Sequence, residues 1–137
     1  MRKNIHILII LVATILCWAC SNENISFKKG EQFYAMGEYY KAAQQYKKSY
    51  QRIPTKDKAL RADRSFRMGL CYEHINNPQK AMQAFQNAVR YHHTDSTALL
   101  RLGFQQLKLA NYKGARESFS AFLDYDETNE LAMAGLQ

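Results

Sequence analysis

Three internal repeats constrain this chain more than any other feature, because a repeat period of this length dictates the architecture. Residues 29–54, KGEQFYAMGEYYKAAQQYKKSYQRIP, align with residues 68–93, MGLCYEHINNPQKAMQAFQNAVRYHH, and with residues 102–127, LGFQQLKLANYKGARESFSAFLDYDE. Each segment carries a glycine near its start, at Gly30, Gly69 and Gly103. An alanine follows twelve residues later, at Ala42, Ala81 and Ala115, and an aromatic four residues beyond that, at Tyr46, Phe85 and Phe119. The glycines lie 39 and then 34 residues apart. Small residues at the glycine and alanine positions let two helices approach closely, and the aromatic fills the space beside them.

Gly37-Glu38-Tyr39, Asn76-Asn77-Pro78 and Ala110-Asn111-Tyr112 read as turns inside each unit. Pro78 suits the first turn of a helix, where its missing N–H costs nothing. Helices are therefore predicted near 24–36, 39–53, 59–75, 78–92, 95–109 and 112–125. The five extra residues between units one and two, around TKDKA, are expected to make a longer polar turn. These residues resemble the tetratricopeptide (TPR) repeat, whose unit is a helix–turn–helix of about 34 residues. The match lies in Met68-Gly69 with Tyr72, in Leu102-Gly103, and in the A-x-x-x-F/Y of each second helix. Pro54 closes the first unit as in that family, whereas His93 and Glu127 replace the proline in the others, and Lys29 replaces an aliphatic residue. The expected fold is all-α, a TPR solenoid of about three repeats (26–55, 65–94 and 99–127) with a short C-terminal cap or the start of a further repeat. In that cap, Leu131, Met133 and Leu136 are expected to cover Phe119, Phe122 and Leu123.

The N-terminus has a different organisation. Arg2 and Lys3 precede a run of about twelve residues, Ile5 to Leu16, that is apolar apart from His6 and Thr14. A membrane-spanning helix needs roughly 20 apolar residues and a signal-peptide core about 7–15. Cys17 and Cys20 follow, then the polar Ser21-Asn22-Glu23-Asn24. The segment resembles a bacterial lipoprotein signal, with Ala19 before the acceptor Cys20 and polar residues after it. Cys17 and Trp18 depart from the aliphatic and small residues usual at those places. The resemblance implies a signal peptide over residues 1–19, a lipidated N-terminus and linker over 20–25, and a TPR domain over 26–137. An uncleaved anchor, a redox dithiol and half of a zinc site are the other readings of Cys17 and Cys20. No βαβ pattern supports the dithiol. A zinc site lacks a second pair of ligands, since His92 and His93 are adjacent and Cys71 stands alone.

Composition fits a folded chain, at 137 residues, 47% hydrophobic and 23% charged, with two prolines and six glycines. Without Arg2 and Lys3 the 19 basic residues fall to 17 against 12 acids, a net charge of +5. That balance permits acidic partners or anionic membrane surfaces. Export argues against a nucleic-acid partner. No nucleophile–base set, phosphate loop or paired carboxylate marks an enzyme, so no catalytic residue, cofactor, metal or small-molecule substrate is assigned. Cys71, Met68 and Met82 are expected in the core.

The order of features, GEYYKA, QQYKK, the long turn, then FRMGLCYEHINNPQKAMQAFQNAV, is similar to the N-terminal TPR region of Bacteroidetes OmpA-family lipoproteins of type IX secretion (the PorE type). This resemblance implies a scaffold for protein–protein interaction in an envelope complex, lipid-anchored at the outer membrane and facing the periplasm. An outer-membrane-protein assembly factor, or the docking domain of a larger envelope protein or enzyme, is the alternative. A TPR stack presents a concave face lined by its first helices. Alignment places Phe27, Phe66 and Leu100 at one position there, followed by the basic row Lys28, Arg67 and Arg101. Leu70 and Phe104 come one turn later, with Glu31 at their place in the first unit, and Tyr34 and Leu107 a turn further, with Glu73 between them. These residues form the candidate partner groove, suited to an extended or helical peptide carrying acids. The aromatic rows have a second reading as core contacts. TPRs that clamp a chaperone's C-terminal carboxylate use Lys and Asn in the groove; Phe27, Glu31, Leu70 and Phe104 stand at those places, so that activity is not expected.

Overall fold

The computed structural model describes residue 6, residues 24–93 and residues 96–137. Residues 24–35 (α1) and Tyr39–Arg52 (α2) form the first helical hairpin. Lys58–His74 (α3) and Pro78–Arg90 (α4) form the second, and Thr97–Lys108 (α5) and Tyr112–Leu123 (α6) the third. A five-residue helix, Glu130–Ala134 (α7), packs on α6. Each helix touches the next along the chain, which is the one-dimensional stacking of a solenoid. No strand occurs among the described residues. The helix ends fall within two residues of those predicted from the repeats.

The glycine–aromatic pairing holds each hairpin together. A Cβ on Gly30 would lie 2.7 Å from the Tyr46 ring, one on Gly69 2.5 Å from Phe85, and one on Gly103 2.5 Å from Phe119. Ala42, Ala81 and Ala115 are fully buried beside these rings. The first unit obeys the same rule even though exposed Lys29 takes the place of buried Met68 and Leu102.

Helix ends are made by left-handed residues. Gly37, Asn76, His92 and Ala110 have φ of 75°, 53°, 56° and 56°. Around each, two backbone bonds close the preceding helix: at Ala110 its N–H donates to Leu107 and the Asn111 N–H donates to Gln106, both at 2.9 Å. This is the Schellman arrangement, which satisfies carbonyls that the helix leaves unpaired. Asn77, Asn111 and Asn129 then cap α4, α6 and α7, accepting from Lys80, Gly114 and Ala132 backbone N–H groups at 3.1, 3.2 and 3.1 Å.

One expectation is refined and another needs correction. The extra residues between units one and two are shared between turn and helix: α3 runs to 17 residues against 12 for α5 and starts at Lys58, one residue before its predicted start. The added helical turn lets Arg61 donate to the Ile53 carbonyl at 2.8 Å and lie over the Tyr50 ring. At the C-terminus Leu131 and Met133 are 62% and 41% exposed, so they do not cover the preceding helix. Ala132, fully buried, and Leu136 pack there, and Gly135 sits against Phe119. In a helix of barely more than one turn, only the face carrying Ala132 points inward, and Leu136 joins it from the turn that follows.

Candidate functional site

The first helices α1, α3 and α5 lie side by side, and their side chains bond across from unit to unit. Tyr34 on α1 shares a 3.1 Å hydrogen bond with His74 on α3, and the Tyr39 ring stacks on that imidazole at 4.0 Å. Arg67 on α3 reaches back to Glu31 on α1 at 2.8 Å, and Arg101 on α5 reaches back to Glu73 on α3 at 2.5 Å. Asp63 also holds Arg67 at 3.1 Å, and Gln105 donates to Glu73 at 2.9 Å. Tyr46 donates to Glu31 from within the first hairpin.

The predicted basic row is thus an alternation of charges. Lys28 is exposed, whereas Arg67 and Arg101 each neutralise an acid of the preceding unit. Burial opposes the charge on Arg67, but the adjacent Asp63 and Glu31 carboxylates outweigh it and raise the guanidinium's pKa. The Tyr46 phenol is pushed well above its usual range by burial and by its bond to Glu31. Asp63 and Gln105 are the site residues that column-by-column alignment did not assign, and Glu31 and Glu73, which it placed in the groove, were not recognised as partners of the arginines. The available signal was that each acid precedes an arginine of the next unit, Glu31 by 36 residues and Glu73 by 28.

The apolar residues of the predicted groove are half-buried and also serve the packing. The Phe27 ring lies 6.0 Å from that of Tyr46, and the Arg64 guanidinium covers it at 3.6 Å. Phe66 tilts against Phe85 at 5.7 Å and stacks on His93 at 4.4 Å. Leu70 packs on the core of units one and two, while Leu100, Phe104 and Leu107 pack on that of unit three. Phe104 meets Phe119 edge to face at 5.2 Å. The same side chains therefore hold the helices together and expose part of their surface between α1, α3 and α5.

Cys71 is a fully buried free thiol on α3. Burial, with the Glu31 charge adding to it, pushes its pKa up to about 12, so it carries no reactive thiolate at neutral pH. Cys17 and Cys20 lie outside the described residues, as does the expected signal segment. Among the described residues no group of three or more His, Cys, Asp or Glu side chains is placed to hold a metal ion. No helix among them is long and apolar enough to cross a membrane.

Residues 65–92 and 97–127 match the tetratricopeptide repeat family. The fold is a TPR helix–turn–helix solenoid. The second TPR domain of human RPAP3, solved in complex with the HSP70 peptide SGPTIEEVD, is similar in structure, with a TM-score of 0.69 at 21% identity. The likeness covers 87% of this chain and 92% of that one. The Arabidopsis OM64 TPR domain is similar with a TM-score of 0.68 at 20% identity, over 85% of this chain and 93% of that one. MamA is similar with a TM-score of 0.72 at 18% identity, over 90% and 70%. Comparison with curated proteins yields no match.

Proposed function

We propose that the protein is a lipid-anchored TPR scaffold of a bacterial envelope complex, with the face between α1, α3 and α5 as its docking surface for a protein segment. The observation that carries this reading is the unit-to-unit run of Glu31, Arg67, Glu73 and Arg101 beside the half-buried Phe27, Phe66, Leu70 and Phe104. Paired arginines next to apolar side chains suit a segment that combines acids with apolar residues, because its carboxylates can take over the arginines. The human RPAP3 domain holds an acidic peptide on the same fold. Here Phe27, Glu31, Leu70 and Phe104 occupy the places of that class's Lys and Asn, so the ligand is an internal segment and not a chain terminus.

Each exchange of an ion-pair partner gains little, so the docking is weak. The lipid at Cys20 offsets this by confining the scaffold to a surface and raising the effective concentration of its partner. The sequence resemblance favours type IX secretion as the setting. In-cell crosslinking from the α1–α3–α5 face names the neighbour, and Arg67→Glu with Arg101→Glu abolishes that crosslink while circular dichroism stays helical. A crosslink unchanged by the double variant would overturn the docking surface. A β-barrel precursor as the neighbour would replace the secretion setting with barrel assembly. A Cys20→Ala chain from which residues 1–19 have been removed is expected to leave the membrane; one that stays in the membrane without that segment would refute the anchor.

A further inference from the structure

The charge of this solenoid is distributed unevenly along its length. Residues 24–58 hold eight Lys and Arg against three acids, and residues 117–137 hold five acids and no Lys or Arg. Within the first hairpin the positive charge gathers at one end. The helices run antiparallel, so the start of α1 lies beside the end of α2, and Arg52 bonds Ser26 at 2.8 Å. The turn into α3 emerges from that same end, where Arg64 on α3 reaches back to Ser49 at 3.1 Å. Arg52, Lys56 and Lys58 are exposed there, with Lys48, Lys47 and Lys29 exposed further along the two helices, around the Gly30–Tyr46 contact. Ile25 and Leu60 stand among them, 48% and 44% exposed. The other end of the hairpin differs, since Glu38 offsets Lys41 in a 2.5 Å ion pair.

We propose that this end of the α1–α2 hairpin is a cationic foot that rests on the anionic headgroups of a lipid bilayer. Long lysine stems spread charge over such a surface, and the exposed Ile25 and Leu60 reach its apolar boundary. The foot lies at the end of α1 from which the chain runs back to Cys20, four residues before residue 24. It rests on and deepens the lipid-anchor reading: the several acyl chains of a bacterial lipoprotein hold the chain to the surface, and the basic patch fixes how the first hairpin meets that surface.

The test uses the full chain carrying Cys20→Ala in every arm, so that no lipid is attached and the apolar segment is common to all. Vesicles of phosphatidylcholine are compared with vesicles of phosphatidylcholine and phosphatidylglycerol by co-sedimentation. The expected result is at least about a tenfold gain in partitioning on the anionic vesicles. That gain disappears as salt rises from about 0.1 to about 1 M and the Debye length shrinks to about 3 Å. Combining K29E, K47E, K48E and K56E, all exposed positions, is expected to remove the gain without loss of helix by circular dichroism. Equal gains for the two chains would overturn the proposal. So would a quadruple variant that keeps its vesicle binding but loses an in-cell crosslink, because the patch would then serve an acidic protein. A chain that remains unlipidated in cells yet shows the lipid-charge dependence would refute the anchor and leave the foot standing.

Discussion

At the scale of single residues, Gly103 and Gly37 show two different reasons for a glycine. A methyl group on Gly103 would collide with the Phe119 ring, whereas one on Gly37 would meet open space. Gly103→Ala is therefore expected to cost about 1–3 kcal/mol through overpacking. Gly37→Ala should cost only about 1 kcal/mol, from a φ of 75°. Denaturant titration separates the two. Ala110 presents the converse, a methyl-bearing residue held at φ 56°. Ala110→Gly relieves that strain, and the protein should gain up to about 1 kcal/mol in the same titration. For Cys71 the folded pKa of about 12 stands above the ordinary value of 9.0. Above about pH 9 the unfolded state loses this proton while the folded state keeps it, so stability falls as pH rises from 9 towards 12. Cys71→Ala should flatten part of that slope, measured as the unfolding midpoint against pH.

At the scale of elements, the caps are the clearest link from sequence to boundary. Asn77→Ala removes the side chain that accepts from Lys80 and should cost about 1 kcal/mol. The turns were legible because Gly37, Asn76-Asn77 and Ala110-Asn111 each combine a left-handed residue with the start of a new helix. The hairpin packing was legible because a glycine, an alanine and an aromatic at fixed offsets have one way to fit together. The ion pairs were not, since alignment stacks like with like. It gathers Lys28, Arg67 and Arg101 into one row and hides that each arginine reaches to a different position of its neighbour. The cap was misread for another reason: over five helical residues, hydrophobicity does not set the phase. Small Ala132 turned inward and left Leu131 and Met133 outside. Removing one charge by Glu73→Gln tests the pairing, as about a third or less of that carboxylate's side chain is exposed while Arg101 is more open. The loss in stability should stay within about 1 kcal/mol.

At the scale of the whole molecule, the buried side chains fall into two clusters. One joins units one and two through Tyr46, Met68, Cys71 and Phe85, with Leu102 reaching in from α5. The other holds Phe119, Phe122 and Ala132 in the third unit. Stability in such a stack is close to a sum of unit and neighbour terms, so local damage should remain local. Phe119→Ala, costing about 3–5 kcal/mol, is expected to speed amide exchange in α5, α6 and α7 while α3 and α4 stay protected. Uniform exchange along the chain would show instead that the two clusters unfold as one.

The backward reach of the arginines also gives the units an order. The first unit offers an acid to its successor through Glu31, and the third accepts one through Arg101 but has Leu107 where Glu73 would stand. Only the second unit both takes and gives, through Arg67 and Glu73. A gene that copied this middle unit would produce a longer solenoid in which each copy bonds the next, whereas copying the third would leave Leu107 where the next arginine needs an acid. The pairing charges thus make the middle unit the one suited to duplication.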